Sequence, residues 1–211
     1  MVETITSLQN QHVKLANLLQ SKARARRKEG KIVLEGTRLI GDALVQKIVP
    51  EYVLYEPKKV DYDLLAKLQQ TRATLYEVTD EIIQHVSDTQ NPQGITGVFR
   101  IPKPSLPDNP QRVLILDAIR EPGNMGTILR TAGAAGVQVV ILAPNCVDPY
   151  NPKVLRSGMG AHFRLPVVEA DWGNISGYCD DLNKYLATGD GDVTYSDVDW
   201  TDSWALVIGN E

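Results

Sequence analysis

The chain has 211 residues, of which 43% are hydrophobic and 23% are charged, and its formal net charge at pH 7 is −4. No apolar stretch reaches the roughly 20 residues that cross a membrane, and the first residues lack the basic and apolar segments of a secretion signal. The sequence therefore argues against a membrane protein and predicts a cytoplasmic one. The two cysteines do not form a CxxC pattern, so neither a disulfide framework nor a structural zinc site is expected.

The charge differs between the two halves of the chain. Residues 1–105 hold 15 Lys and Arg against 12 Asp and Glu, whereas residues 106–211 hold 7 against 14. Within the first half, basic residues are concentrated in "SKARARRKEGK" (21–31). Such a segment is typical of a surface that attracts a phosphate backbone, and equally of a solvated helix end. The first half is therefore where we expect a nucleic acid to bind.

The first hundred residues alternate between helical and extended patterns. "NQHVKLANLLQSKARARRKEG" predicts one helix, because Val13, Ala16 and Leu19 recur at helical spacing and Gly30 can end it. The next segments predict a strand, a helix, a strand, a helix and two strands: "KIVLEG", "TRLIGDALVQ", "EYVLYE", "DYDLLAKLQQ", "TLYEVT" and "ITGVFRI". Four prolines in "PKPSLPDNPQ" (102–111) then predict an extended connector between two domains.

The second half repeats the alternation. It predicts strand "VLILD", a helix over residues 123–135, strand "VQVVILA", a helix around "NPKVLRSGMGA" and strand "FRLPVV". Helix "ISGYCDDLNKYL", a short strand near "LAT" and strand "WALVIGN" follow. Strands without polar alternation, separated by helices, indicate a mainly parallel sheet covered on both faces, and hence an α/β fold. Ligands of such sheets bind beyond the carboxyl ends of the strands.

The stretch "EPGNMGTILRTAGAAG" (121–136) follows the strand "VLILD" at such an end. Its glycines let a backbone approach a ligand closely, and Asn124 can cap the helix. Met125 and Leu129 would face the sheet, which leaves Arg130 about 100° away and free to reach outwards. An exposed helical arginine is also typical of an ordinary solvated surface. Two later stretches, "NPKVLRSGMGAHFRLP" and "WALVIGNE", likewise combine glycines with polar groups.

In this order, the three stretches resemble the motifs of the SpoU (TrmH-like) family of S-adenosylmethionine-dependent RNA ribose 2′-O-methyltransferases, in the SPOUT superfamily. The first motif is matched by Asn124, Gly126, Arg130, Ala132, Ala135 and Gly136, and the intermediate segment by Arg156, Ser157, Gly158, Gly160, Ala161 and Pro166. "SLQNQHVK", the basic helix, "VLEG" and "NPQGITGV" resemble the L30e-like RNA-binding domain of many members. The resemblance therefore spans nearly the whole chain.

The resemblance implies an L30e-like α/β domain over 1–101, a proline-rich linker over 102–111, and a mainly parallel-sheet methyltransferase domain of the trefoil-knot type over 112–211. The family's third motif, a proline-rich and Ser-Leu-Asn segment, is not found in the 211 residues. We therefore expect the C-terminal knot segment to be missing, and we expect the chain as given to transfer methyl groups poorly or not at all.

The same resemblance implies methyl transfer to a ribose 2′-hydroxyl of structured RNA by a homodimer, with ribosomal RNA of the 23S type expected before tRNA. It also implies that Arg130 acts at the 2′-hydroxyl, that Asn124 orients Arg130 or the RNA, and that Glu211 holds the arginine or the active-site loop. A guanidinium keeps its proton at neutral pH. We therefore expect Arg130 to orient groups and stabilise charge rather than to act as a base.

Donor contacts are expected in the loops after the last strands, from Leu186, Ala187, Thr188, Gly189, Gly209 and Asn210. Leu186 fits either the adenine ring of the donor or the protein core. RNA contacts are expected from Lys14, Arg24, Arg26, Arg27, Arg38 and Arg156. The histidines lack metal-ligand spacing, so no metal is predicted.

Two other classes of protein remain open at this point. A glycine turn after a strand also occurs in nicotinamide-dependent oxidoreductases, although glycines at 123, 126, 133 and 136 do not reproduce GxGxxG. A non-catalytic RNA-binding protein is the alternative if the chain ends at residue 211.

Overall fold

A computed structural model describes residues 3–103 and 105–209. The chain forms two compact units. The first runs to Pro102 and includes Tyr150–Arg156, and the second consists of Lys103–Pro149 and the residues from Ser157 onwards. The sequence did not predict that Tyr150–Arg156 groups with the first unit. No helix among the described residues has both the length and the apolar character that crossing a bilayer needs.

The first unit is built on a mixed five-stranded sheet. Its elements are β1 (Glu3–Ile5), α1 (Gln11–Ser21), α2 (Ala23–Glu29), β2 (Lys31–Glu35), α3 (Thr37–Val45), β3 (Tyr52–Tyr55), α4 (Tyr62–Gln69), β4 (Thr74–Val78), α5 (Asp80–Val86) and β5 (Ile95–Arg100). The strand order is β1-β4-β3-β5-β2, and β5 runs antiparallel to both β3 and β2. Leu19 of α1, Ile83 of α5 and Val98 of β5 belong to one buried cluster, so these helices cover the sheet.

The single helix predicted over residues 10–30 is wrong, because it is broken at Lys22. That residue is extended, with φ −125° and ψ 113°, and it separates α1 from α2. The break is stabilised by Arg26, whose Nη1 donates to the carbonyl oxygen of Leu19 at 2.6 Å. The last carbonyls of a helix have no partner within the helix, and a buried guanidinium supplies one here. Strand β1 and helix α5 were not predicted either.

The second unit is built on a parallel five-stranded sheet. Its elements are β6 (Arg112–Leu116), α6 (Pro122–Ala134), β7 (Val139–Leu142), a 3₁₀ helix (Ala161–Phe163), β8 (Val167–Glu169), α8 (Trp172–Tyr178), β9 (Asn183–Ala187) and β10 (Trp204–Ile208). Helix α7 (Pro152–Gly158) is divided between the units, because its residues up to Arg156 group with the first unit and only Ser157 and Gly158 with the second. The order is β8-β7-β6-β10-β9, with every pair parallel. Ile115 packs with Ile175 of α8, whereas Met125 and Leu129 of α6 are fully buried elsewhere in the unit.

Two boundaries in this unit differ from the prediction. The helix expected over residues 175–186 ends at Tyr178, and Asn183–Ala187 forms strand β9. Backbone pairing with β10 decides this, because Asn183 pairs with Trp204 and Ala187 with Ile208, far along the chain. The strand predicted in "FRLPVV" begins only at Val167, since the 3₁₀ helix takes up Phe163.

Candidate active site

The loop between β6 and α6 lies where the parallel strands of the second sheet end. β6 and β10 end side by side, because Leu116 pairs with Ile208 and the Asp117 N–H donates to the Ile208 carbonyl at 2.9 Å. The loop therefore starts beside Gly209. Ala118 has a φ of +52°, a left-handed conformation that costs about 1–2 kcal/mol and is concentrated at functional sites. Asp117 and Ala118 were not predicted as site residues, although their position directly after a parallel strand is where ligands of such sheets bind.

Helix α6 begins before the residue that we expected to cap it. The N-cap is Glu121, whose Oε1 accepts the Gly123 N–H at 3.4 Å, and Pro122 occupies the first turn. A proline there needs no partner for an N–H, so it favours a helix start at its own position. The prediction that Asn124 caps the helix is therefore wrong. Asn124 is exposed in the first turn of α6.

Arg130 is exposed on α6, whereas the neighbouring Leu129 is fully buried. Its Nη1 donates to Sδ of Met159 at 3.0 Å. Asn124 precedes it by six residues, which separates the two positions by about 9 Å along the helix and roughly 120° around it. Both roles given to Asn124, orienting Arg130 or orienting the RNA, stay predictions.

The partner of Arg130 belongs to a turn that we call the methionine turn, Gly158–Met159–Gly160. Met159 and Gly160 have positive φ values of 46° and 76°. A Cβ on Gly158 would lie 2.9 Å from Cε1 of His162, so only glycine fits there without a shift of the ring. Nε2 of the buried His162 lies 2.8 Å from the Pro149 carbonyl oxygen, and because that oxygen can only accept, Nε2 carries the proton. Burial lowers the pKa of His162 to about 4, so the ring is neutral at pH 7.

A cavity of about 710 Å³ opens beyond the end of β9. It brings together four of the predicted donor residues, Leu186, Ala187, Thr188 and Gly189, with further lining from Tyr185, Gly191, Asp192, Val193, Thr194, Tyr195, Ser196, Val198, Trp200 and Leu206. Leu186 is 66% exposed, so the alternative that it belongs to the core is wrong. Gly209 is not among the lining residues, and a Cβ on it would meet no described atom within 4 Å.

The chemistry of this cavity fits S-adenosylmethionine. Aromatic and aliphatic walls suit an adenine ring, the hydroxyls of Thr188 and Thr194 suit ribose or amino-acid groups, and the carboxylate of Asp192 suits a cationic ligand. The walls are tied together, since Trp200 lies 5.3 Å from Tyr185 between ring centroids and its Nε1 donates to the Tyr195 carbonyl at 2.8 Å. The residues that line the cavity can therefore hold such a donor.

Four of the predicted RNA-contacting residues are exposed on the first unit: Lys14, Arg24, Arg27 and Arg38. Arg38 lies in the first turn of α3, close to the contact between "VLEG" and "NPQGITGV", two of the segments that resemble the L30e-like domain. Gly36, with a φ of +90°, precedes the helix, and Oε1 of Gln93 accepts the Thr37 N–H at 2.8 Å. A Cβ on Gly36 would lie 2.8 Å from that oxygen, which is the end of a flexible side chain, so the positive φ is the main reason for glycine here.

The other two predicted RNA contacts are differently placed. Arg26 is only 3% exposed and bonds to the end of α1, so we withdraw it as an RNA contact. The sequence could have indicated that Arg26 is buried, because it follows the apolar Leu19 by seven residues and so lies on the same side of the predicted helix. Arg156 groups with the first unit and is half-buried there, with Nη2 donating to Oδ2 of Asp88 at 2.7 Å. An RNA contact by Arg156 would compete with this ion pair.

Two predicted site residues, Asn210 and Glu211, lie outside the described residues. Within residues 3–103 and 105–209 there is no group of three or more His, Cys, Asp and Glu side chains placed to hold a metal ion.

The chain is similar to known RNA methyltransferases along its whole length. Residues 111–211 match the SpoU rRNA Methylase family, and residues 10–97 match the MRM3-like substrate binding domain. The chain is 33% identical over 216 residues to 23S rRNA (guanosine(2553)-2′-O)-methyltransferase RlmP of Bacillus subtilis, covering 100% of this chain and 83% of the relative. It is 41% identical over 194 residues to rRNA methyltransferase 3, mitochondrial, of Mus musculus, covering 85% of this chain but only 46% of that protein.

Solved structures agree with the sequence matches. A crystal structure of an rRNA methyltransferase from Sinorhizobium meliloti superimposes with a TM-score of 0.86 at 29% identity, covering 100% of this chain and 82% of that one. Its AdoMet-bound form gives a TM-score of 0.83 at 27% identity, covering 98% and 80%. The family and the fold class inferred from the motifs are thereby confirmed, and the chain belongs to the SpoU family of RNA methylases.

Proposed function

We propose that this protein transfers a methyl group from S-adenosylmethionine to a ribose 2′-hydroxyl of ribosomal RNA, of the 23S type. The observation that carries the proposal is the exposed guanidinium of Arg130, held by an uncharged sulfur in a unit that also contains a donor-sized cavity. The relatives support the substrate and the cofactor, since the Bacillus subtilis protein is named as a 23S rRNA 2′-O-methyltransferase and one Sinorhizobium meliloti structure is AdoMet-bound.

Bound S-adenosylmethionine supplies a methyl group activated by a sulfonium sulfur, so the chain's own residues need to position the groups and stabilise charge. A guanidinium is a permanent cation in proteins, and in this role Arg130 serves as a fixed positive charge. In the proposal it binds the phosphate next to the target ribose and stabilises the negative charge that develops on the 2′-oxygen. The hydroxyl proton leaves to phosphate or water, because a guanidinium cannot accept it.

The first unit supplies the RNA-binding surface in this proposal. Lys14, Arg24, Arg27 and Arg38 are exposed there, and residues 10–97 match a substrate-binding domain. The acidic second half cannot attract a polynucleotide by its net charge, whereas it suits a cationic donor. The proposal also keeps Gly209 and Asn210 as donor contacts, and Glu211 as the residue that holds Arg130 or the active-site loop. A homodimeric enzyme in the cytoplasm is part of the same proposal.

The experiment that tests the proposal supplies the full-length protein with methyl-labelled S-adenosylmethionine and with purified 23S-type rRNA or tRNA. We expect label in one 2′-O-methylated nucleoside of the rRNA, identified by mass spectrometry of the digest. Calorimetry with S-adenosylhomocysteine and with NAD gives the matched binding control, and we expect binding of the first ligand alone. Label only in tRNA, label in a base, or binding of NAD alone would contradict the proposal.

A further inference from the structure

The backbone of the methionine turn is in a conformation that disfavours methionine. Met159 has a φ of +46°, in the left-handed region, where a residue with a Cβ is strained and glycine is not. Glycines stand on both sides of it, so a third glycine would give an unstrained turn. Strain of this kind persists where the surrounding structure holds it, and it is concentrated at active and ligand-binding sites. The question is therefore what the Met159 side chain does.

The atoms around the turn constrain the backbone on one side of Met159. Gly158 is buried against the ring of His162, with only 2.9 Å between a Cβ built on it and Cε1. The ring is anchored in turn through Nε2 to the Pro149 carbonyl oxygen at 2.8 Å. Met159 itself is only partly buried, and its Sδ lies 3.0 Å from Nη1 of Arg130. A rigid turn thus presents a sulfur atom to the guanidinium.

The choice of sulfur has a chemical consequence for Arg130. A thioether is an uncharged, weak acceptor, and a guanidinium has five N–H donors. One contact with sulfur can therefore restrict the orientation of the guanidinium while its charge and most of its donors stay available. A carboxylate at the same place would form an ion pair and neutralise the charge that a phosphate needs.

We infer that Met159 is a positioning residue, which orients the Arg130 guanidinium towards the target ribose and its phosphate without neutralising it. This inference rests on the function proposed above for Arg130. It assigns a use to a strained residue that the motif resemblance left without a role.

Three substitutions separate orientation from packing. Met159→Leu keeps the volume and removes the acceptor, Met159→Gln keeps the length and supplies an uncharged oxygen acceptor, and Met159→Glu supplies a charged one. In the full-length protein we expect Met159→Leu to lower kcat about 3- to 10-fold with KM for RNA within about twofold, the loss that one hydrogen bond explains. Met159→Gln should recover most of kcat. Met159→Glu should raise KM as well, because it neutralises Arg130.

A double-mutant cycle and a measurement without turnover complete the test. In an Arg130→Ala background, Met159→Leu should cause no further loss, because its effect acts through the guanidinium. In ¹H–¹⁵N spectra, the Arg130 side-chain signal should show faster motion in Met159→Leu than in the wild type.

The outcomes distinguish this inference from the proposed function. An active wild type with unchanged kcat in Met159→Leu overturns the inference and leaves the function standing. Equal losses in Met159→Leu and Met159→Gln, or an additive cycle, also overturn it, since packing then explains the effect. A wild type that methylates no RNA overturns the proposed function, while the Arg130 side-chain spectra still show whether Met159 orients the guanidinium.

Discussion

The neutral, buried His162 makes the stability of the second unit depend on pH. Burial lowers the pKa of this histidine to about 4 from its ordinary value of 6.5. Between these two values the unfolded chain binds a proton that the folded chain does not, so the free energy of unfolding falls as the pH is lowered through this window. Each pKa difference of one corresponds to about 1.4 kcal/mol, which gives a loss of about 2 kcal/mol at pH 5 and about 3 kcal/mol at pH 4 relative to pH 7.

Urea unfolding followed by tryptophan fluorescence measures this loss of stability in the second unit, which contains His162. The chain has three tryptophans, Trp172, Trp200 and Trp204, and all of them belong to the same unit as His162. The matched control is His162→Gln, in which an amide N–H can replace Nε2–H towards the Pro149 carbonyl but cannot titrate. The titration of carboxyl groups changes the free energy of unfolding of both proteins equally. The difference in pH dependence between wild type and His162→Gln is therefore the contribution of the histidine. Equal pH dependence of wild type and His162→Gln from pH 7 to pH 4 would refute the reasoning.

Three further substitutions test the assignments of individual side chains. Arg26→Ala should destabilise the first unit by about 2 kcal/mol, because it removes a buried charged hydrogen bond, and urea unfolding followed by circular dichroism should show this loss. Arg24→Ala should leave stability within about 0.5 kcal/mol of the wild type. It should also reduce the slope of log affinity for RNA against log salt concentration by about 1, the loss of one phosphate contact, as titrations at several salt concentrations would show. Leu186→Ala should likewise leave stability within about 0.5 kcal/mol, yet weaken S-adenosylhomocysteine binding several-fold in calorimetry. A folding defect in Arg24→Ala or Leu186→Ala, or none in Arg26→Ala, would contradict these assignments.

Helical periodicity was a reliable guide to which side of helix α6 is buried. It placed Leu129 inside and Arg130 outside, and both are found there. Local sequence could not show interactions between distant residues. The first part of strand β9 was assigned to a helix, and only its end overlaps the strand predicted near "LAT", because its partner β10 begins at Trp204, well beyond any local pattern.

Backbone conformation was the second thing that the sequence did not reveal. The stretch "SGMGA" was placed in the helix predicted around "NPKVLRSGMGA", whereas α7 ends at Gly158. Nothing in the sequence shows that Met159 takes the left-handed conformation or that its sulfur meets Arg130. The N-cap of α6 was misplaced for a related reason, since Asn124 is the better intrinsic cap while Pro122 moves the helix start to Glu121. These errors lie at the candidate site, where turn geometry outweighs local preference.

The central claim is that the charge of Arg130 drives methyl transfer to a ribose of rRNA. The most direct measurement compares wild-type full-length protein with Arg130→Ala, with Arg72→Ala as a control at an exposed arginine outside the proposed site. Product is counted as 2′-O-methylated nucleoside, and RNA affinity and Tm are measured alongside. We expect Arg130→Ala to lower kcat at least roughly 100-fold, as loss of a charge-stabilising donor does, with Tm unchanged. Turnover by Arg130→Ala equal to that of Arg72→Ala would contradict the account.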